Sequence, residues 1–286
     1  MKLSIVTPSF RSSQWLKLCI ASVADQQDVE VEHIVQDSCS DDGTGDWLPS
    51  DSRVRAFIEK DNGMYDAVNR GFRRASGDIL AYLNCDEQYL PGALKRVRDF
   101  FAARPEVDVA VADTVVTDAA GNYVCHRYAL RPYRHALWVT FPVLTCALFI
   151  RRRVLDPMGI YVDTRWKDLG DLFWVMEFVK HGLNIAVLPA FTSVFADTGE
   201  NMNLKPNAIR EKELKWQMAP PWVKIMRYPI QIHNRLRLFA RNIPPQKPFD
   251  YSIYTLASPD RRVTLRASNP TSFWRGRLKY AFGRIP

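Results

Sequence analysis

The sequence predicts an α/β protein built on a doubly wound, mostly parallel sheet flanked by helices. Three observations carry that reading. Apolar runs of strand length alternate with stretches of helical periodicity through the first hundred residues. Two of those runs break into carboxylates, at Gln36-Asp37 and at Asn84-Cys85-Asp86-Glu87. After about residue 205 the pattern changes to dense proline with interleaved aromatic and basic residues. Ligands of open α/β sheets bind at the carboxyl ends of the strands, so the two acidic clusters mark a candidate site.

Leu3–Thr7 reads as the first buried strand, ended by Pro8. Gln14–Ala24 spaces Trp15, Leu18, Ile20, Ala21 and Val23 as a helix does, with Ser12 or Ser13 as its cap. Val31–Gln36 is the second strand, and Thr44–Leu48 is a short helix closed by Pro49. Val54–Ile58 is a third strand, and Met64–Ala75 is a helix ended by Gly77. Ile79–Leu83 is the fourth strand. Pro91–Ala103 is a helix with proline at an early position, where a missing N–H costs nothing. Val107–Ala112 and Tyr123–His126 follow as strands, with a turn at Ala119-Ala120-Gly121-Asn122. Asp171–Lys180 is helical, stopped at His181-Gly182, and Ile185–Leu188 is another strand. The uncharged stretch Ala136–Ile150 contains Pro142 and is shorter than the about 20 apolar residues of a spanning helix, so core strand and loop are expected there.

With 286 residues, 47% hydrophobic and 24% charged, the chain has material for a sizeable core. Its five cysteines (Cys19, Cys39, Cys85, Cys125, Cys146) lack pair spacing, which points to reduced thiols and a cytoplasmic setting. Met1–Pro8 lacks the apolar core of a signal peptide. No histidine pair has ligand spacing, and there is no P-loop and no G-x-S-x-G, which argues against phosphoryl-transfer ATPases and serine hydrolases. The net charge of +8 is uneven: residues 205–286 carry 17 basic and 4 acidic residues, while residues 1–204 lean acidic.

Four segments occur in a telling order: Ser4-Ile5-Val6-Thr7-Pro8-Ser9-Phe10, the Asp37 cluster, Asp61-Asn62-Gly63-Met64-Tyr65-Asp66-Ala67-Val68-Asn69-Arg70-Gly71, and the approach from Ala75 to Asp86. Together they resemble the family 2 glycosyltransferases over roughly residues 3–200. The resemblance implies the glycosyltransferase A fold, with a catalytic domain over 1–204. Its nucleotide-sugar half would run to about residue 105 and its acceptor half over 106–204, with a basic extension over 205–286. It also implies an inverting transfer from a nucleotide sugar, assisted by Mn²⁺ or Mg²⁺, which neutralises charge on the departing diphosphate. Such a cation takes one or two protein carboxylates and fills its shell with phosphate and water oxygens.

By that likeness Asp86 is the metal ligand, with Glu87 as a second. Asn84 stands where the family's Asp-x-Asp has its first carboxylate, and Asn84 and Cys85 adjoin the nucleotide. Asp37 matches the aspartate that hydrogen-bonds the base, which favours a uridine donor. Thr7, Pro8 and Ser9 line the nucleotide pocket mainly through backbone groups. Asp66 either faces the nucleotide or caps and pairs at the surface, and Asp41 or Asp42 caps the helix after Gly43. The general base is Asp171, with Asp168 as rival. At a helix N-terminus the charged form of Asp171 is stabilised, so position alone should not raise its pKa. Glu177 stands where the family often has an arginine. Gly199, in the polar turn Phe195–Asn203, is either a ligand-bordering loop or an ordinary one.

The extension mixes cations with apolar residues, in Pro221–Ile230, Ile232–Arg241 and Phe273–Phe282. Such segments suit an anionic membrane surface, which agrees with a lipid-linked saccharide acceptor and peripheral association with a membrane. No nucleic-acid motif is present. Two other readings share these features: a nucleotidyltransferase, which wants a basic loop near the first strand where this chain has only Arg11, and a catalytically silent membrane-binding module.

Overall fold

A computed structural model describes residues 1–199 and 206–274. In chain order its elements are β1 (Leu3–Ser9), α1 (Ser13–Ala24), β2 (Val31–Asp37), α2 (Thr44–Trp47), β3 (Arg55–Ile58), α3 (Met64–Arg74), β4 (Ile79–Tyr82), β5 (Glu87–Tyr89), α4 (Ala93–Ala103), β6 (Val109–Asp118) and β7 (Tyr123–Arg127). There follow α5 (Arg134–Leu137), β8 (Leu148–Arg151), α6 (Gly170–Lys180), β9 (Ile185–Asp197), α7 (Pro206–Met218), α8 (Pro221–Ile225), α9 (Arg227–Arg241), β10 (Phe249–Thr255) and β11 (Ser258–Ala267).

The main sheet orders its strands β3-β2-β1-β4-β8-β6-β9-β5, with β7 beside β6. The first four strands of the chain are mutually parallel, and β8 and β5 run antiparallel to their neighbours. Ser9 lies opposite Asp37, Asp37 opposite Ile58, and Val6 opposite Tyr82. The residues that follow β1, β2 and β4 therefore share one edge, as the acidic clusters foretold.

Helices cover both faces. Tyr65, Val68 and Phe72 of α3 pack with Trp174 and Phe178 of α6 on one face. Cys19 and Val23 of α1 pack with Leu94, Val97 and Phe101 of α4 on the other. The spacing of Tyr65, Val68 and Phe72, three and four apart, is what turns one stripe of α3 to the sheet. Gly71 permits that contact, because a Cβ there would meet Val6 Cγ1 at 2.3 Å. Trp174 is ringed by Phe72, Tyr82 and Phe178, and its Nε1 donates to Ile160 O at 2.7 Å.

Some expectations change. β1 runs through Pro8 to Ser9, because the pairing with β4 ends at Val6 and no partner needs the missing N–H of Pro8. Neither Ser12 nor Ser13 caps α1 with its side chain; Asp42 Oδ2 accepts the Ser13 N–H at 2.8 Å. β9 continues past Pro189 by shifting register against β6 between Ala112 and Thr114. The stretch Ala136–Ile150 does hold core strand, β8.

Residues 206–274 are tied to the preceding part of the chain. Gln88 pairs with the backbone of Tyr254, its Nε2 donating at 2.8 Å and its Oε1 accepting at 2.9 Å. Arg262 donates to Asp25, Ser252 O and Tyr89 O. Arg241 forms two 3.0 Å hydrogen bonds with buried Asp113. Of the basic segments expected from the sequence, residues 275–282 lie outside the described residues.

Candidate active site

The edge formed by the ends of β1 and β2 is a hydrogen-bonded shelf. Asp37 is 0% exposed, with Oδ2 accepting from Ser9 Oγ at 2.8 Å and Ser40 Oγ at 2.7 Å and Oδ1 accepting from Ser40 N at 2.8 Å. In this arrangement its carboxylate holds the turn and presents no face to a ligand. Thr7, Pro8 and Ser9 are likewise buried. Thr7 Oγ1 pairs with His33 Nε2 at 2.9 Å, and Pro8 O accepts from Cys85 Sγ at 3.3 Å. Asp42 caps α2 through Thr44, as one of the two expected choices, while Asp41 binds Arg11 bidentately at 2.6 and 2.7 Å.

The turn after β4 carries the second cluster. Asp86 is half-buried, whereas Glu87, the first residue of the fully buried β5, is 1% exposed. Glu87 Oε2 accepts the Asn84 N–H at 2.9 Å. Two buried acceptors in this turn, Asn84 Oδ1 and Glu87 Oε1, have no hydrogen-bond partner. Burial raises the pKa of Asp86, and burial together with the adjacent Asp86 charge raises that of Glu87. Among the described residues no three His, Cys, Asp or Glu side chains gather as a metal-binding set. The turn thus offers oxygen donors and few carboxylates, the donor set a hard divalent cation uses when phosphate and water complete its shell.

The α6 start is built by three separate segments. Tyr65, in the first turn of α3, brings its one hydroxyl proton within reach of two acceptors, Asp168 O at 3.3 Å and the Asp171 carboxylate. Gly170 lets the Tyr65 ring lie against the helix, since a Cβ there would meet Tyr65 Cδ2 and Cε2 at 2.6 Å. Lys167 Nζ donates to Asn62 O at 2.8 Å, joining this loop to the turn before α3. Glu211 of α7 is 5% exposed and accepts the N–H groups of Lys167 at 2.7 Å, Asp168 at 3.0 Å and Leu169 at 2.8 Å.

Asp171 is half-buried, and Leu172 N donates to its Oδ1 at 2.7 Å. Its pKa is raised to about 6, against the expectation from its place on the helix. Burial outweighs the hydrogen bonds from Leu172 and Tyr65, and the Glu211 charge adds to the rise. Asp168 instead accepts from Asn207 Nδ2 of α7. Tyr82, the last residue of β4, lies within electrostatic reach of both Asp171 and Glu87, so the α6 start and the turn after β4 share one edge.

The remaining candidates lie apart from this constellation. Asp66 accepts from Asn62 N at 3.0 Å and pairs with Arg70 at 2.9 Å, the capping and pairing alternative. Glu177 pairs with Lys180 at 3.0 Å toward the other end of α6. Gly199 has φ +80° with open space around it, and residues 200–203 of its turn lie outside the described residues. Sequence reasoning missed Tyr65, Tyr82, Asn207 and Glu211. Tyr65 had a signal, since it sits inside the segment that carries the resemblance; Glu211 had none, because nothing in sequence links it to Lys167–Leu169.

Known proteins share this architecture. Structure 1–349 of Staphylococcus aureus TarS, solved in complex with UDP-GlcNAc, superposes with a TM-score of 0.59 at 18% identity, over 77% of this chain and 67% of that one. That likeness is one of fold, the glycosyltransferase A fold. TuaG of Bacillus subtilis (strain 168), named for teichuronic acid biosynthesis, is 31% identical over 106 residues, which span 35% of this chain and only 42% of TuaG. A PGL/p-HBAD biosynthesis glycosyltransferase of Mycobacterium bovis (strain BCG) is 30% identical over 220 residues, covering 73% of this chain and 81% of its own length. Residues 4–156 match the family described as Glycosyl transferase family 2, and with a relative aligned along most of both lengths, the chain belongs to glycosyl transferase family 2.

Proposed function

We propose that this chain is an inverting glycosyltransferase that moves a sugar from a UDP-sugar onto a hydroxyl of a saccharide or lipid-linked saccharide acceptor. The observation that carries the proposal is Asp171, a carboxylate held by Tyr65 at the start of α6 with its pKa raised to about 6. A base of that strength is still about nine-tenths ionised at pH 7. It is also a far better proton acceptor than an ordinary aspartate. The acceptor hydroxyl attacks the anomeric carbon from the face opposite the diphosphate. Its oxygen forms the new glycosidic bond, its proton passes to Asp171, and the bond to the diphosphate oxygen breaks.

Mn²⁺ or Mg²⁺ bound with the donor would supply neutralisation of the diphosphate's growing charge. Asp86 would hold it, with the unpartnered Asn84 and Glu87 oxygens available beside it. Two adjacent carboxylates whose ionisation is opposed by burial support that assignment, because a neighbouring cation relieves the opposition. Asp37 shapes the nucleotide shelf through Ser9 and Ser40 and, by the family likeness, would lie on the base side of the donor. Asp168 positions the loop through α7. Arg11, the one cation of Thr7–Ser13, is engaged by Asp41, which does not favour the basic loop of a nucleotidyltransferase. The basic extension would face an anionic membrane surface that carries the acceptor.

The test is UDP titration with and without Mn²⁺, together with UDP release from UDP-GlcNAc. Asp86→Ala is expected to lose Mn²⁺-dependent UDP binding. Asp171→Asn is expected to bind UDP as the wild type does and to lose turnover by roughly 10³-fold. Normal turnover by Asp171→Asn would refute the base assignment, and UDP binding indifferent to both Mn²⁺ and Asp86 would refute the donor site.

A further inference from the structure

The outer face of α9 is an apolar stripe that no element among the described residues covers. α8 runs into α9 with helical bonding through Met226, whose N–H donates to Trp222 O at 2.9 Å and whose carbonyl accepts from Ile230 N at 3.0 Å. Ile225, Tyr228, Ile232, Leu236, Phe239 and Ile243 recur three or four residues apart, which sets them along one side. Each is between 56% and 79% exposed. Single exposed apolar residues are ordinary, but a periodic row of large ones is not.

The helix cannot roll to hide this row. Its inner side is fastened by buried Ile230 against Ala136 and Val223, and by Arg237, which donates to Arg131 O at 2.8 Å and lies 4.2 Å over the Tyr133 ring. Arg241 is held by Asp113.

Charge selects the occupant. Residues 214–249 contain seven Lys and Arg and no Asp or Glu. Lys224, Arg227, Arg235 and Lys247 are exposed beside the stripe. A second copy of the chain would bring the same positive charge against itself. An anionic bilayer brings the opposite charge and an apolar interior to the same face. No described helix is long and apolar enough to cross a membrane, so the helix lies along the interface.

We infer that α9, with the end of α8, is a docking surface for an anionic lipid bilayer, the apolar stripe inserted at the headgroup level and the flanking cations on lipid phosphates. The inference deepens the reading of the extension as the membrane-facing part of a transferase, and it rests on that reading for its purpose. It names the face that engages, and it fixes that face relative to β6 through Asp113 and Arg241.

The experiment is co-sedimentation of the full chain with vesicles of phosphatidylcholine alone or with about 30% phosphatidylglycerol, a fraction chosen to give the anionic surface potential the cations need. Binding is expected to phosphatidylglycerol vesicles and to be at least tenfold weaker to phosphatidylcholine alone. Leu236→Ser with Phe239→Ser should weaken it at least tenfold, Arg235→Ala about fivefold, with both variants retaining wild-type UDP binding. No binding to anionic vesicles, or binding indifferent to these substitutions, would overturn the proposal. So would a dimer in sedimentation velocity that the double substitution dissolves, with no vesicle binding. Loss of vesicle binding with UDP binding intact touches this surface alone; absent Mn²⁺-dependent UDP binding with vesicle binding intact touches only the transferase reading.

Discussion

Replacing Glu211 should alter catalysis from a helix that touches neither donor nor acceptor in the proposed reaction. Its carboxylate takes three backbone N–H groups at the start of α6, with Asn207 Nδ2 as a fourth donor at 3.0 Å. Of these, the Leu169 N–H belongs to the N-cap residue of α6, one of the donors that a helix start leaves without an intrahelical partner, and Lys167 and Asp168 precede it. Hydrogen bonds to a charged acceptor contribute about 1.5–3 kcal/mol each, less where water can replace the acceptor. Because Lys167 is exposed and Asp168 and Leu169 are half-buried, we expect Glu211→Ala to cost roughly 3 kcal/mol in total, and Glu211→Gln, which keeps one oxygen, about half of that.

The sharper readout is pH. The Glu211 charge raises the Asp171 pKa, so removing it lets Asp171 ionise at lower pH. In wild type kcat/KM should fall as pH drops through about 6, where Asp171 takes up its proton. In Glu211→Gln that acid limb should move to lower pH. The looser loop should also reduce kcat by roughly tenfold or more with donor KM little changed. The assay is UDP release from UDP-GlcNAc between pH 5 and 8 (a range set by roughly one unit either side of the Asp171 value), with urea unfolding for stability. An unmoved acid limb with wild-type kcat, or a limb moved to higher pH, would refute the coupling.

Two further substitutions probe the same corner. Tyr65→Phe keeps the packed ring but removes the hydrogen bond that favours ionised Asp171, so the acid limb should move up by roughly one pH unit; an unchanged profile would show that the phenol is only packing. Gly170→Ala drives a methyl to 2.6 Å from a ring that is 4% exposed, which should cost roughly 2–3 kcal/mol and lower Tm by about 5 °C or more, and a wild-type Tm by calorimetry would mean that Tyr65 has room to move.

β1 and β4 of the parallel half were legible because they are buried on both faces and read as apolar runs, as Ile5-Val6 and Ile79-Leu80 do. β11 was not, because Ser258–Ala267 is polar and charged through Arg262 and keeps only a short apolar alternation at Val263, Leu265 and Ala267. β9 outlasted the expected strand because a register shift let it pass Pro189. The two acidic clusters were read correctly as lying at strand ends, yet their chemistry was only partly visible. That Asp37 and Glu87 are buried could not be read from the sequence, because burial depends on how the strand ends pack. The raised Asp171 pKa was not legible because helix position is local, whereas the burial that raises it, and the Glu211 charge that adds to it, come from the folded packing.

The pairing of Gln88 with Tyr254 has a consequence for the order in which the molecule is completed. It closes a loop of 166 residues, and Arg262 reaches back 237 residues to Asp25. Contacts of such separation form late, because the chain between them must first be made and then ordered. At ordinary translation rates the partner of Gln88 is synthesised roughly 10–30 s after Gln88 itself. The strand that follows the Asp86 turn therefore spends its early life unbraced, and α9 leaves the ribosome before the hairpin that steadies that strand. A chain with its first two hundred residues grafted onto another extension would inherit the acidic clusters but not the clasp that finishes them.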